Sequence, residues 1–386
     1  MKQNPKNPKI PELGRNIRQI IKTLTPGRGV ILYAVTVAVA LMVLSCPARA
    51  MVINVTYDSS VTSAANAAQI EAAYNLVAQN FETLYTNPIT VNITVYWGGS
   101  AFGSSNFQLY GYYAYSDLIS GLQAAETTPE DSTAVANLPA SDPTAGNDWL
   151  VPTAEAKTMP SLGYNPNDPS SDGYIQFATS GWTFGPLNRA VPGEYDFIAV
   201  AEHETSEVLG RCFILDQHYG AYAPYDLFRF ANGAQSLNAF DTGVYFSINK
   251  DVTPLKPFNA VTLSTIGSED PQDWMPTNLV DSFDWELGPD AEGVLSSADL
   301  TALDILGYNL NFTPPKVTGT KLANGNFELN FTNVTGLGFT VWASTNILSS
   351  ATNWVKLGTP TETAVGKYQF IDTTANKTRF YRVLLQ

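Results

Sequence analysis

Residues 201–211 read AEHETSEVLGR, and three of them carry groups that can do chemistry together. His203 and Glu207 are four apart, so in a helix they stand one turn apart on one face, where an imidazole nitrogen and a carboxylate oxygen can grip one divalent ion. Both are competent zinc ligands, and a catalytic zinc takes three protein ligands and keeps a position for water. Glu204 adjoins His203 on the flank of the same face. In the H-E-x-x-H pattern the glutamate after the first histidine is the general base that takes a proton from water during peptide hydrolysis. Here Glu207 stands where that pattern has its second histidine. A carboxylate donates more charge to the metal than a neutral imidazole does, so water there is less acidic and the Lewis acid weaker. One histidine with two carboxylates is weaker still and suits other divalent ions besides zinc. The bland alternative is a satisfied, partly buried histidine beside a solvated acidic face of Glu202, Glu204 and Glu207.

The motif needs a helix, and the sequence supplies one. Over residues 195–209 an apolar stripe of Phe197, Ile198, Ala201, Val208 and Leu209 has helical spacing, and Gly210 stands where a helix would end. Ahead of it, MVINVTYDSSV (51–61) alternates as a strand. Residues 66–84 place Ile70, Ala73, Tyr74, Val77 and Phe81 on one helical face, and PITVNITVYW (88–97) is a β-branched run ended by Gly98-Gly99. A shorter helix is expected over 116–126, a long surface excursion over 127–172 and a strand in GYIQFATS (173–180). After the motif helix come expected strands YDLFRF (225–230) and VYFSIN (244–249). The last helix, 297–306, is announced by the capping-box spacing of Ser296 and Asp299. NFTPPK (311–316) breaks the pattern, so residues 312–316 are expected to be a linker. Residues 317–386 turn wholly to short alternating strands, with Asn324-Gly325 as a hairpin turn. That is the pattern of a small all-β sandwich of immunoglobulin or fibronectin type.

Residues 1–50 stand apart. They hold eight of the 21 Lys+Arg and one of the 35 Asp+Glu, then an uncharged run at 29–45 and small residues at Ala48 and Ala50. This reads as a signal peptide cleaved after Ala50, with a retained anchor or lipidation at Cys46 as alternatives. The remainder carries 13 basic against 34 acidic residues, a balance of −21. Such a charge disfavours nucleic acid or an anionic membrane as partner. Once Cys46 is removed Cys212 has no partner for a disulfide, so the core must hold the fold, and burial is its default reading.

YDFIAVAEHETSEVLGR, YAPYDLFRF and LSSADLTALDILGY, with the opening INVTYDSSVTSAANAAQIEAAYNLVAQNFETLY, together resemble the secreted bacterial zinc metalloproteases of zincin type. These carry an H-E-x-x-E variant helix and are related in pattern to metzincins. The resemblance spans roughly residues 51 to 310. It implies an α+β zincin-like domain over 51–311, a zinc-binding His203 and a catalytic Glu204. Against the longer metzincin helix, His203, Glu204 and Gly210 match, Glu207 replaces the second ligand and Phe213 occupies the third position. The third ligand is then sought among His218, the only other histidine, and Asp226 on the following segment, each with a structural role as its alternative. Met275-Pro276 is a candidate for the turn that metzincins place beneath the metal. The acidic DSFDWELGPDAEG (281–293) is a candidate for structural calcium, though without EF-hand spacing.

The expected function is a secreted zinc-dependent endopeptidase acting on a protein or peptide substrate. Its C-terminal domain would serve attachment or spacing, with contact to a cell surface or polysaccharide through Trp342, Trp354, Phe370 and Tyr381 weighed against their packing as core. The alternative of a different class is a non-catalytic secreted binding or adhesive protein on a degenerate zincin fold.

Overall fold

A computed structural model describes residues 50–215, 220–250, 252–259, 270–277, 280–374 and 378–386. The leader expected over residues 1–50 lies outside them except for Ala50, as does His218. Among the described residues no helix is long and apolar enough to cross a membrane.

The fold is mixed α/β with several sheets. Six strands organise its first part: β1 (Val52–Tyr57), β2 (Thr90–Trp97), β3 (Gly103–Phe107), β4 (Leu109–Tyr113), β5 (Asp148–Pro152) and β6 (Gly173–Phe177). The main sheet has the order β1-β2-β6-β3, with β1, β2 and β6 parallel and β3 antiparallel at the edge. The helix Ala67–Leu84 makes the crossover from β1 to β2. Its Ile70, Tyr74, Val77 and Phe81 are buried, as are Val91, Ile93 and Val95 of β2 and Ile175 and Phe177 of β6. Burial of such side chains supplies about 1.5–3 kcal/mol each. The alternate positions of β2, Asn92, Thr94 and Tyr96, are half exposed, which is why the run reads as a strand with one buried face.

The surface excursion expected over residues 127–172 is overturned. Residues 129–136 form a helix whose capping box joins Thr128 and Asp131. β5 pairs with β4 and fully buries Trp149 and Val151. Lys157 is buried too, donating to Asp172 Oδ2 at 2.6 Å and to the Thr90 carbonyl at 2.8 Å, while Asp172 accepts from Asn92 N–H. This ion pair pins the start of β6 to β2. Lys157→Ala strands a buried carboxylate, so it is expected to cost about 3–5 kcal/mol. A lower urea midpoint at unchanged slope would show it; an unmoved midpoint would refute it.

Glu155, on a single helical turn after β5, is fully buried, and neither of its carboxylate oxygens has a hydrogen-bond partner among the described residues. Burial therefore pushes its pKa well above the ordinary value. With the folded pKa above an unfolded value of about 4.3, the folded state binds the extra proton. Stability is whole below the unfolded pKa and lost as pH rises toward the folded one. In Glu155→Gln the fall in melting temperature from mildly acidic to alkaline buffer is expected to shrink; an unchanged fall would remove Glu155 from the account.

Downstream, YDLFRF is mostly not a strand. Residues Pro224–Phe228 form a 3-10 turn and only Arg229–Ala231 is extended. The last helix runs Ser297–Asp304 with the expected Ser296–Asp299 capping box. In the C-terminal part, one sheet orders Thr318–Lys321, Phe327–Thr332, Lys367–Asp372 and Thr361–Ala364. A second orders Val355–Gly358, Phe339–Ser344 and Phe380–Leu385. Their aromatic residues meet between the sheets: Phe327 stacks on Tyr381 at 5.4 Å, and Phe339 meets Phe331 and Tyr368 at 5.1 Å. Trp354 is buried beneath Arg382. This part also docks on what precedes it, since Leu295 exchanges backbone hydrogen bonds with Gly336 and Gly338, and Asn80 donates to the Thr335 carbonyl.

Candidate metal centre

The helix Phe197–Val208 carries the motif. Asp196 caps it by accepting from Ile198 and Ala199 N–H, and the buried Arg189 holds that carboxylate at 2.9 Å. Gly210, at φ +119°, ends the helix as its position implied, because such a backbone is strained for any residue with a Cβ. Tyr74 of the crossover helix meets Thr205 at 3.1 Å, and the edge strand β3 lies against the motif helix. There Ser105 donates to Glu207 Oε2 at 2.6 Å, and a Cβ at Gly103 would collide with Glu204 and Val200.

His203 Nδ1 lies 3.0 Å from the Ser282 carbonyl, an acceptor, so Nδ1 carries the hydrogen and Nε2 is presented inward. Nε2 is 3.2 Å from Asp273 Oδ1 and 3.6 Å from Glu207 Oε1. One ligand atom from each of His203, Glu207 and Asp273 lies within 4.8 Å of the others. Atoms about 2.0–2.2 Å from one tetrahedral ion stand about 3.3–3.6 Å from each other, so this imidazole already keeps ligand spacing to both carboxylates. The donor set of one nitrogen and two oxygens fits a divalent metal. Asp273 is held by its neighbour Trp274, which is fully buried, packs on Phe258 at 5.0 Å and donates its indole N–H to Asp299 at 2.6 Å.

Arg211 completes the cluster. It is fully buried, donates to Asp273 Oδ1 at 2.7 Å and to Ser206 Oγ at 2.7 Å, and lies 3.5 Å from Glu207 Oε1. Gln272 donates to the same Glu207 oxygen at 2.9 Å. Burial alone would depress the His203 imidazolium, but the Asp273 charge overrides it and holds its pKa well above the usual value. Burial would likewise raise Glu207, yet the hydrogen bond and charge of His203 outweigh it and pull Glu207 down to about 2. Glu204 moves the other way, with burial reinforced by the Glu207 charge pushing it well up. Two carboxyls on one helix are therefore pushed in opposite directions. The solvated acidic face considered for Glu202, Glu204 and Glu207 is not present: they are 0, 7 and 5 % exposed.

Asp226 is not brought to the cluster. Its carboxylate accepts from the N–H groups of Ile214, Leu215 and Ala223, a loop-holding role, and the residues whose ligand atoms converge are His203, Glu207 and Asp273 instead. Phe213, at the third position of the longer pattern, stacks on Tyr225 at 5.1 Å. Met275 is 43 % exposed, neither core nor a floor beneath the cluster. In the acidic loop Asp281 is paired with Lys256 and accepts from Phe283 N–H, so its charge is answered within the protein. Cys212 is buried among Leu150, Ile214, Ala221 and Ala223, and burial, with the nearby Glu155, raises its thiol well above the ordinary range.

His203 and Glu204 also line an open cavity of about 340 Å³ walled by Phe102, Tyr195, Val200, Trp285 and Leu287. The member of the cluster that sequence reasoning missed is Asp273. It stands far beyond the motif, in PQDWMP, and only the buried Trp274 beside it hints at a fixed position. No protein-family model, no curated protein and no solved structure matches the chain.

Proposed function

We propose that the chain is a secreted metal-dependent endopeptidase of zincin type, followed by a β-sandwich accessory domain of immunoglobulin-like layout. The observation that carries this reading is the convergence of His203, Glu207 and Asp273 on one point beside a cavity that Glu204 lines. Chain order supports it: a parallel sheet closed by an antiparallel edge strand that lies on the motif helix. β3 ends its sheet, so an extended peptide can add along its outer rim and pass over His203 and Glu204.

His203, Glu207 and Asp273 would hold a zinc or similar divalent ion, which would supply Lewis acidity toward water and a peptide carbonyl. The Ser282 carbonyl fixes the His203 ring; Ser105, Gln272 and Arg211 fix the two carboxylates. Glu204 takes the proton from the attacking water and returns it to the departing amine.

A specific observation favours a second reading. The Arg211 guanidinium already pairs with both carboxylates, and a chain that relied on it could hold this cluster with no metal. That would be the non-catalytic binding protein. Metal analysis and casein digestion of the purified full chain separate the two. About one equivalent of zinc with chelator-sensitive cleavage supports the peptidase. A chain that stays metal-free in excess zinc and leaves casein intact overturns it.

A further inference from the structure

The cavity beside Glu204 has a chemical character of its own. Besides His203, no basic side chain among the described residues lines it, while Glu204, Asp284 and Glu286 contribute three carboxyls. Asp284 is 5 % exposed. Its carboxylate's one described hydrogen bond is from Asp281 N–H at 3.0 Å to Oδ2, and Oδ1 has no partner among the described residues. A buried carboxylate oxygen without a donor is costly unless something brings one. The walls are aromatic: Phe102 lies over Tyr195 with ring centroids 3.8 Å apart, and Phe102 and Trp285 remain 40 and 37 % exposed at the rim. Aromatic walls suit the alkyl stem and flat cation of arginine, and the stem and ammonium of lysine.

We infer that this cavity is a specificity pocket for a basic side chain, Lys or Arg, flanking the scissile bond, with Asp284 and Glu286 receiving its cation and Phe102, Tyr195 and Trp285 its stem. The inference rests on the peptidase reading for the word scissile but on the cavity alone for the binding. The strongly acidic chain adds long-range attraction for the same substrates. Burial pushes the Asp284 carboxyl up to about 7, against the opposing pull of the Asp281 N–H, Lys256 and His203.

Two experiments on the full chain test it. First, zinc-loaded protein is given matched peptides with Arg, Lys, norleucine or Glu at each position around a cleaved bond. A preference of about tenfold or more in kcat/KM for the basic members is expected, equal to about 1.4 kcal/mol. It should fall toward unity in Asp284→Asn, which keeps an oxygen for Asp281 N–H, and fall partly in the exposed Glu286→Gln. Second, Nα-acetyl-arginine amide and its norleucine counterpart are titrated by NMR, a measurement that needs no turnover. Arginine-selective binding weakened in Asp284→Asn upholds the pocket even if nothing is cleaved, in which case only the peptidase reading falls. Cleavage with no basic preference, or equal binding of both amides, overturns the pocket and leaves the peptidase reading standing.

Discussion

Glu204→Gln is expected to leave the chain folded and metal-loaded while lowering kcat for peptide cleavage by about 10²–10⁴-fold, the usual contribution of a general base. The substitution conserves volume, and the Glu204 carboxyl makes no hydrogen bond among the described residues that an amide would lose. Its neighbours are Gly103 of β3 and Val200, and the space is set by that close approach. Removing a carboxyl that burial and Glu207 disfavour in its charged form also relieves the fold, so melting should hold or rise. Side-by-side zinc stoichiometry, melting and casein turnover read the three quantities. If the amide variant keeps more than about a tenth of wild-type kcat, Glu204 is not the base. If the metal leaves with the carboxyl, Glu204 is a ligand and the division of labour is wrong.

Local signals explain what was legible before any coordinates. The helix at 66–84 came from five apolar side chains on one face, and all five are buried; Gly210 and the Ser296–Asp299 box marked helix ends by backbone chemistry that needs no tertiary partner. His203 with Glu207 was legible for the same reason, since four-residue spacing fixes their relation within a single helix. β5 was not, because five residues with buried Trp149, Leu150 and Val151 have no alternation, and Asp, Asn and Gly before it signal a loop. The helix after Thr128 is polar and small, so no apolar stripe announces it; its traces are the capping box, Pro129 at its start and the acidic first turn. YDLFRF looked extended because its apolar residues alternate, but Pro224 and the Asp226 carboxylate, bonded to Ala223 N–H, turn the chain instead.

The site itself divides the same way. Its helical half is sequence-local. Its other half, Gln272, Asp273 and Ser282, arrives from more than sixty residues on, and contact at such range leaves no periodicity. Arg211 leaves no mark in the sequence, because a cation four residues past a ligand pair reads as a surface charge at the end of a helix. In the fold it is wholly buried and neutralises part of the cluster. That charge has a consequence for metal choice. Imidazole, two carboxylates and one guanidinium sum to −1 with a neutral histidine, so a divalent ion leaves the site at +1, as a single-carboxylate site would without Arg211. The weakening of the Lewis acid expected from a second carboxylate is thereby partly offset.

Asp273→Asn is expected to lower zinc affinity by more than the about 10–100-fold typical of a partner outside the coordination sphere, while His218→Gln leaves it unchanged. The amide is chosen over alanine because Arg211 donates to Asp273 Oδ1, and an asparagine oxygen can keep that bond. Alanine would take from a fully buried guanidinium its shortest carboxylate contact and cost up to about 3–5 kcal/mol by itself, confusing loss of fold with loss of ligand. In Asp273→Asn the metal instead loses an anionic donor, and the His203 imidazolium loses the charge that holds its proton. Competition against a chelating dye gives the affinity, and melting with and without zinc gives an independent value, since stabilisation follows the ratio of free metal to its dissociation constant. The comparison is sharp because the two histidines are the only ones in the chain. Metal binding that survives in Asp273→Asn but disappears in His218→Gln would replace the ligand set with one histidine pair and Glu207. A loss in both variants would place the ion between them, with four protein groups and no position left for water, and the site would then be structural.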